Sequence, residues 1–204
     1  MEKLAVIVNT HPGRNRAIQY TEQVLNSLGH KTIILQGHDY IDPLDHDPTH
    51  VFLSAVPTNA QYSLTEKRAK DFVSQRYGWL KNLEIPVMGI CYGHQIIAHM
   101  YGGEVKEMKN EKIALQRKIR VNSEQDNLGI FDGIETIEGF VAHNDYVRPP
   151  AGFSTIATRK RICYAMKHSE KDIYGLQFHP ELSGEVGKEL VKRFMELPTT
   201  NTTE

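Results

Sequence analysis

Cysteine is scarce in this chain: Cys91 and Cys163 are the two among 204 residues, too few for the disulfide framework on which small secreted domains rely. No apolar run approaches the roughly 18 residues of a membrane-spanning helix. The apolar run nearest the N-terminus, Leu4 to Val8, is ended by Asn9 and is too short for the core of a signal peptide. The cytosol is the default compartment that remains. Charge of one sign is also missing, with 24 Lys and Arg against 25 Asp and Glu, a formal charge of -1. A general nucleic-acid or anionic-membrane binder would carry a basic footprint that this balance excludes. No repeat, low-complexity tract or linker divides the sequence. What is present is globular material, 40% hydrophobic and 24% charged, enough for one compact domain over 1–197 followed by a polar, flexible tail, 198–204. A small molecule or a protein is the partner that such a surface suits.

Hydrophobic periodicity organises the first half. Leu4 to Val8, Thr32 to Leu35, Val51 to Leu53 and Val87 to Ile90 are short Val, Ile and Leu runs with little polar alternation, the pattern of strands buried on both faces. Between the first two, Arg14 to Leu28 puts Ile18, Thr21, Leu25 and Leu28 on one helical face, and Gly29 supplies the stop. A second periodic stretch, Thr65 to Leu80, aligns Ala69, Phe72, Val73 and Leu80. Strand and helix in alternation predict an α/β fold of the doubly wound kind, its mostly parallel central sheet covered by helices on both faces. After about residue 103 the pattern changes. Ile119 to Val121, Ile137 to Ala142, Phe153 to Ala157, Ile162 to Met166 and Ile173 to Phe178 read as strands joined by short turns, hence as antiparallel additions. A last amphipathic helix, Gly184 to Leu197, buries Val186, Leu190, Val191 and Phe194.

Chemistry concentrates in two segments. In Pro86-Val-Met-Gly89-Ile-Cys91-Tyr-Gly93-His-Gln95 a buried strand runs into a helix across a cysteine flanked by glycines at minus two and plus two. Such glycines permit the sharp strand-to-helix turn that lifts a nucleophile to the sheet edge, and the helix N-terminus favours a thiolate there. A lone buried cysteine is more often a small hydrophobe, which is the reading for Cys163, set in an apolar strand without an elbow. The second segment is Tyr174-Gly-Leu-Gln177-Phe-His179-Pro-Glu181. Here a strand ends in a histidine, and a carboxylate two positions later is able to fix its tautomer, giving a base and its orienter for Cys91.

Together the segments Gly89-Ile-Cys91-Tyr-Gly93-His-Gln95 and Gln177-Phe-His179-Pro-Glu181 resemble the class I glutamine amidotransferase family, over about Leu4 to Leu197. Ala142-His-Asn-Asp145-Tyr-Val is similar to that family's substrate-side loop. Among subfamilies, the free-standing glutaminase subunits serving GMP synthesis are similar in length and in the run Pro150-Ala-Gly-Phe153. The resemblance implies a flavodoxin-like fold and glutamine hydrolysis to glutamate and ammonia, with the ammonia passed to an ATP-dependent synthetase. By the same resemblance Cys91 attacks the side-chain amide, His179 moves the proton and Glu181 holds His179. Backbone N–H groups of Tyr92 and Val56 face the oxyanion. Gly93 and Gln95 line the glutamine pocket, and His143, Asn144 and Asp145 stand at the substrate's amino-acid end. No metal or other cofactor is implied. One departure stands out: the family's Gly-Gly-Pro loop is Ser54-Ala55-Val56-Pro57 here. Val is disfavoured where a backbone sits at positive φ, so either the loop is preset in one conformation or the oxyanion hole is incomplete.

Other signals read as surface. His38 to His50 is rich in Asp and His, but it lacks a helical ligand spacing and is broken by prolines. Lys106 to Arg120 interleaves basic residues with Glu104, Glu107 and Glu111, the mark of a solvated face that could also dock a partner. Arg159-Lys160-Arg161 reads as a hairpin turn. Two further functions stay open: a stand-alone γ-glutamyl hydrolase or peptidase, and a catalytically weak regulatory or binding subunit that keeps the pocket.

Overall fold

The structure is a computed structural model that describes residues 2–11, 15–37, 39, 41–56, 63–108, 113–122, 124–125 and 128–199. Five strands form its parallel part: β1 (Leu4–Asn9), β2 (Lys31–Gln36), β3 (His50–Leu53), β4 (Val87–Ile90) and, from far down the chain, β11 (Ile173–Leu176). The antiparallel additions are β5 (Glu104–Glu107), β6 (Ile113–Val121), β7 (Thr136–His143), β8 (Asp145–Arg148), β9 (Phe153–Arg159) and β10 (Ile162–His168). The strand order is β2-β1-β3-β4-β11-β10-β9-β6-β7, with β5 paired to β8 and β8 to β10.

The apolar runs become strands because no polar alternation gives them a wet face: β3, β4 and β11 are buried at every residue. Helix α1 (Arg16–Ser27) buries Ile18, Thr21 and Leu25 and shares one face of the sheet with α4 (Gly184–Glu196), whose Leu190, Val191, Phe194 and Met195 join the same cluster. Phe194 meets Phe52, His50 and Tyr174 edge-on, with centroids 5.1, 5.2 and 6.1 Å away. The opposite face carries α2 (Lys67–Arg76) and α3 (Tyr92–Met100).

Three sequence expectations change. Ile173 to Phe178 was expected among the antiparallel additions, yet β11 runs parallel to β4. It is reached from β10 by a tight reversal, and β10 itself opposes the parallel set, so the reversal restores the parallel direction. The periodic stretch Thr65 to Leu80 is not one helix. Gly78 interrupts it, α2 ends at Arg76 and Leu80 is buried from a separate 3-10 turn, Gly78–Asn82. Phe72, within α2, lies at the margin of its buried face, 36% exposed, beneath the Arg76 guanidinium 4.0 Å from its ring centroid. Finally, the charged stretch from Lys106 to Arg120 holds part of β5 and most of β6, with Ile119 buried on the sheet's inner side. The hairpin turn at Lys160 and Arg161 is as expected, both residues taking positive φ between β9 and β10. Of the Asp- and His-rich stretch, Asp42 caps a 3-10 turn, Pro43–His46, while His38 and Tyr40 lie outside the described residues.

Close packing at the β4–α3 junction has a direct test. A Cβ on Gly93 would sit 2.3 Å from Leu53 O, and one on Gly89 would sit 2.5 Å from the Gly93 backbone, so Gly93→Ala must displace main chain. It should destabilise the protein by about 3 kcal/mol or more in chemical denaturation. Gly78→Ala, where nothing lies within 4 Å, should be neutral or stabilising by up to about 1 kcal/mol.

Candidate active site

Cys91 stands where β4 gives way to α3, at φ 53° and ψ -98°. This backbone region is costly for a residue with a side chain, and the turn persists because its surroundings leave no alternative. Cys91 N donates to Leu176 O at 2.7 Å, and the helix ladder opens with Gln95 N donating to Cys91 O at 3.3 Å. The Tyr92 N–H lies ahead of that first intrahelical donor, at the positive end of the helix dipole. Gly93 and Gln95 occupy the same buried first turn.

The chain then brings the C-terminal motif to this point. β11 lies beside β4 in parallel register, Leu176 against Ile90, so the residues just beyond the two strand ends become neighbours. The Gln177 side-chain amide donates to Cys91 Sγ at 3.7 Å, and Sγ lies 3.7 Å from Ala142 O at the end of β7. His179 Nδ1 is 2.7 Å from Glu181 Oε1, with the two side chains only 8% and 1% exposed. The other ring nitrogen, Nε2, is buried with no hydrogen-bond partner in reach. Backbone contacts from the antiparallel arm hold the histidine: His179 N donates to Phe140 O at 2.8 Å, while Ser183 Oγ donates to His179 O and accepts from Phe140 N.

Electrostatics favour a charged imidazole. Burial alone would push the His179 pKa down, but the Glu181 carboxylate, the nearby Cys91 sulfur and the hydrogen bond to Glu181 together raise it to about 10. His94, fully buried in α3, is driven the other way, to about 3, by burial and then by the neighbouring His143. It stays neutral and fills space beside Gly175. Asp145 has its pKa raised by burial, opposed by a hydrogen bond from Ser63 Oγ at 2.7 Å, with Glu107 adding to the rise.

The expected site residues thus fall into two groups. Cys91, Tyr92, Gly93, Gln95, His179 and Glu181 gather around one junction. His143, Asn144 and Asp145 form the kink from β7 into β8, joined to the first group through Ala142. His143 Nδ1 bonds to Asp145 O at 2.8 Å, and Asn144 O accepts from Met108 N. Val56 ends the described part of its loop and does not take the left-handed backbone feared for it: the described non-glycine residues with positive φ are Asp47, Cys91, Lys160 and Arg161. Sequence reasoning missed the contacts of Gln177 and Ala142 with the thiol and of Ser183 with His179. Gln177 stood in the motif itself, but neither the Ala142 carbonyl nor the Ser183 hydroxyl left a sequence signal. Among the described residues no group of three or more His, Cys, Asp or Glu is arranged to hold a metal ion.

The match to known proteins agrees with this geometry. The family model for glutamine amidotransferase class-I covers residues 14–197, and the chain belongs to that family. A glutamine-hydrolysing GMP synthase subunit from Methanocaldococcus jannaschii is 41% identical over 121 residues, 57% of this chain and 62% of that one. A Clostridium botulinum GMP synthase is 40% identical over 119 residues, 57% of this chain and 23% of that enzyme, so the matched stretch spans less than two thirds of either relative. In fold, the chain is similar to the crystal structure of a GMP synthase subunit from Thermoplasma acidophilum, with TM-score 0.78, 24% identity, and coverage of 96% of this chain and 94% of that one. It is also similar to PurLQS from Thermotoga maritima, with TM-score 0.74, 19% identity, and coverage of 95% and 98%.

Two measurements check the site. Iodoacetamide with peptide mapping should modify Cys91 well before Cys163, whose pKa burial raises to about 12; rapid modification of Cys163 with Cys91 untouched would contradict the geometry. The His179 pair should also appear in stability. An imidazole whose folded pKa lies above the ordinary value of about 6.5 stabilises the fold fully below that pH and loses the contribution as pH rises through the folded value, about 10. The Tm deficit of Glu181→Gln relative to wild type should therefore be larger at pH 6 than near pH 10.

Proposed function

We propose that this chain hydrolyses L-glutamine to glutamate and ammonia through a cysteinyl thioester and passes the ammonia to a synthetase. The observation that carries this reading is a cysteine at φ 53° on a buried strand-to-helix turn, facing a buried His179–Glu181 pair at 2.7 Å.

In this reading Cys91 Sγ attacks the side-chain amide carbon and the carbonyl oxygen takes the negative charge, met by the N–H of Tyr92 and that of Val56. His179, kept protonated by Glu181, gives a proton to the nitrogen as the C–N bond breaks, and ammonia leaves. The neutral imidazole then takes a proton from water, which attacks the thioester, and glutamate departs with the thiolate restored. Glu181 holds the ring in one tautomer and balances its charge throughout. Gly93 and Gln95 sit beside the carbon under attack, and the His143-Asn144-Asp145 kink stands where the amino-acid end of the substrate would lie. The relatives named as glutamine-hydrolysing subunits of GMP synthase support an ammonia acceptor on a separate ATP-using chain, and GMP formation as its setting. Neither cysteine is in a disulfide, which suits a reduced cytosolic environment. One ground for a catalytically weak subunit was strain at Val56, and the backbone there does not show it.

Steady-state glutaminase assays, with and without a GMP synthase synthetase subunit, test the proposal. Cys91→Ala should remove turnover, and His179→Ala should lower kcat by about 100-fold or more. Glu181→Gln should lose less, because the imidazole remains. Wild-type rates in Cys91→Ala or His179→Ala would overturn the mechanism, and an unchanged rate on adding every candidate synthetase would favour a stand-alone hydrolase.

A further inference from the structure

The loop that ends β3 is held by side chains that follow β1. Ser54 N donates to Val8 O at 3.1 Å, extending the ladder between the strands, and Ser54 O accepts from Thr10 Oγ1 at 2.9 Å. Thr10 N donates in return to Ser54 Oγ at 3.2 Å. The next carbonyl, Ala55 O, accepts from Ser54 Oγ at 3.1 Å and from Asn15 Nδ2. Asn15 is itself fixed, because its Oδ1 caps α1 by accepting from Ala17 N at 3.1 Å. Thr10, Asn15, Ser54 and Ala55 are all buried, so these bonds are shielded from competing water.

Direction follows from covalent geometry. In a trans peptide the carbonyl and the N–H point opposite ways. β3 lies between β1 and β4. A carbonyl of Ala55 drawn toward β1 and the start of α1 therefore turns the N–H of Val56 away from them, toward the side of β4. There Cys91 ends the strand, and Gly93 in the first turn of α3 packs against Leu53 O.

We infer that Asn15 is a positioning residue that sets the Ala55–Val56 peptide with its N–H toward the oxyanion, so that a side-chain amide does here what glycine does in a Gly-Gly-Pro loop. The inference rests on the glutaminase reading above. A donor fixed before the reaction needs no reorganisation as charge develops, and its effect falls on the transition state rather than on ground-state binding.

Asn15→Asp and Asn15→Ser separate this role from capping, since Asp and Ser cap helices about as well as Asn but neither offers the amide donor. Both variants should keep a KM for glutamine within a few-fold while kcat falls by about 100-fold, the loss of one oxyanion donor; Asn15→Ser should keep a Tm close to wild type, whereas Asn15→Asp also loses Tm because its buried carboxylate faces the Ala55 carbonyl. Alkylation of Cys91 by iodoacetamide, a displacement at carbon that develops no oxyanion, should keep its wild-type rate. A wild-type kcat in both variants overturns the inference and leaves the glutaminase reading standing. In Asn15→Ser, a fall in alkylation rate or Tm matching the fall in kcat would assign Asn15 to general scaffolding and also overturn it. Should Cys91→Ala retain glutaminase activity, or the wild type show none with or without a synthetase, the reading itself fails and the inference with it.

Discussion

Everything in the candidate site depends on one strained residue. A cysteine at φ 53° and ψ -98° costs on the order of 1–3 kcal/mol, and it exists only because the surrounding chain removes the alternatives. Gly89 and Gly93 are in main-chain contact, Gly93 lies against the end of β3, and the Cys91 amide is tied to β11. Helix α3 is buried on nearly every side, so the turn cannot relax by moving the helix. The parallel half of the sheet thereby acts as a vice: its hydrophobic burial, of order tens of kcal/mol in a domain of this size, holds a local conformation that no short peptide would keep.

The other partner comes from the end of β11 and is held under a different constraint. His179 lies beyond the last residue of β11, where no ladder would hold it, and the β7 arm takes over through Phe140 and Ser183. Burying a carboxylate and an imidazole together is unfavourable unless each meets the other's charge. Here the pair sits at 2.7 Å with almost no exposure, and the imidazole beside Cys91 is held in its charged form. Two constraints therefore divide the work: packing imposes geometry on sulfur, and the Glu181 carboxylate imposes charge on nitrogen.

Much of this was legible in the residues. The runs Leu4 to Val8 and Val87 to Ile90 announced buried strands because they lack polar alternation, and the glycines around Cys91 announced the turn because only their missing side chains let three backbones meet. The motif Gln177 to Glu181 carried its own geometry, since a two-residue spacing across Pro180 brings carboxylate and ring together. What escaped was long-range. Leu80 looked like part of the same helix because periodicity ignores the break at Gly78. The charged residues around Lys106 concealed β5 and most of β6, since antiparallel strands with one solvated face tolerate charge there. No local pattern could show that Asn15, an ordinary helix cap by sequence, reaches the carbonyl of Ala55 forty residues later.

The place of β11 between β4 and β10 also sets the order in which the site comes into being. A chain emerging from the ribosome delivers β1 to β4 and Cys91 long before residues 173–176 exist, and until then β4 presents an open edge and the Cys91 amide lacks its partner in β11. Pairing across more than eighty residues is slow and entropically expensive, and domains acquire such contacts only once the distant strand is available. In the proposed mechanism the sulfur is thus made before its base, and closing the sheet at β11 is the event that brings Cys91 and His179 together.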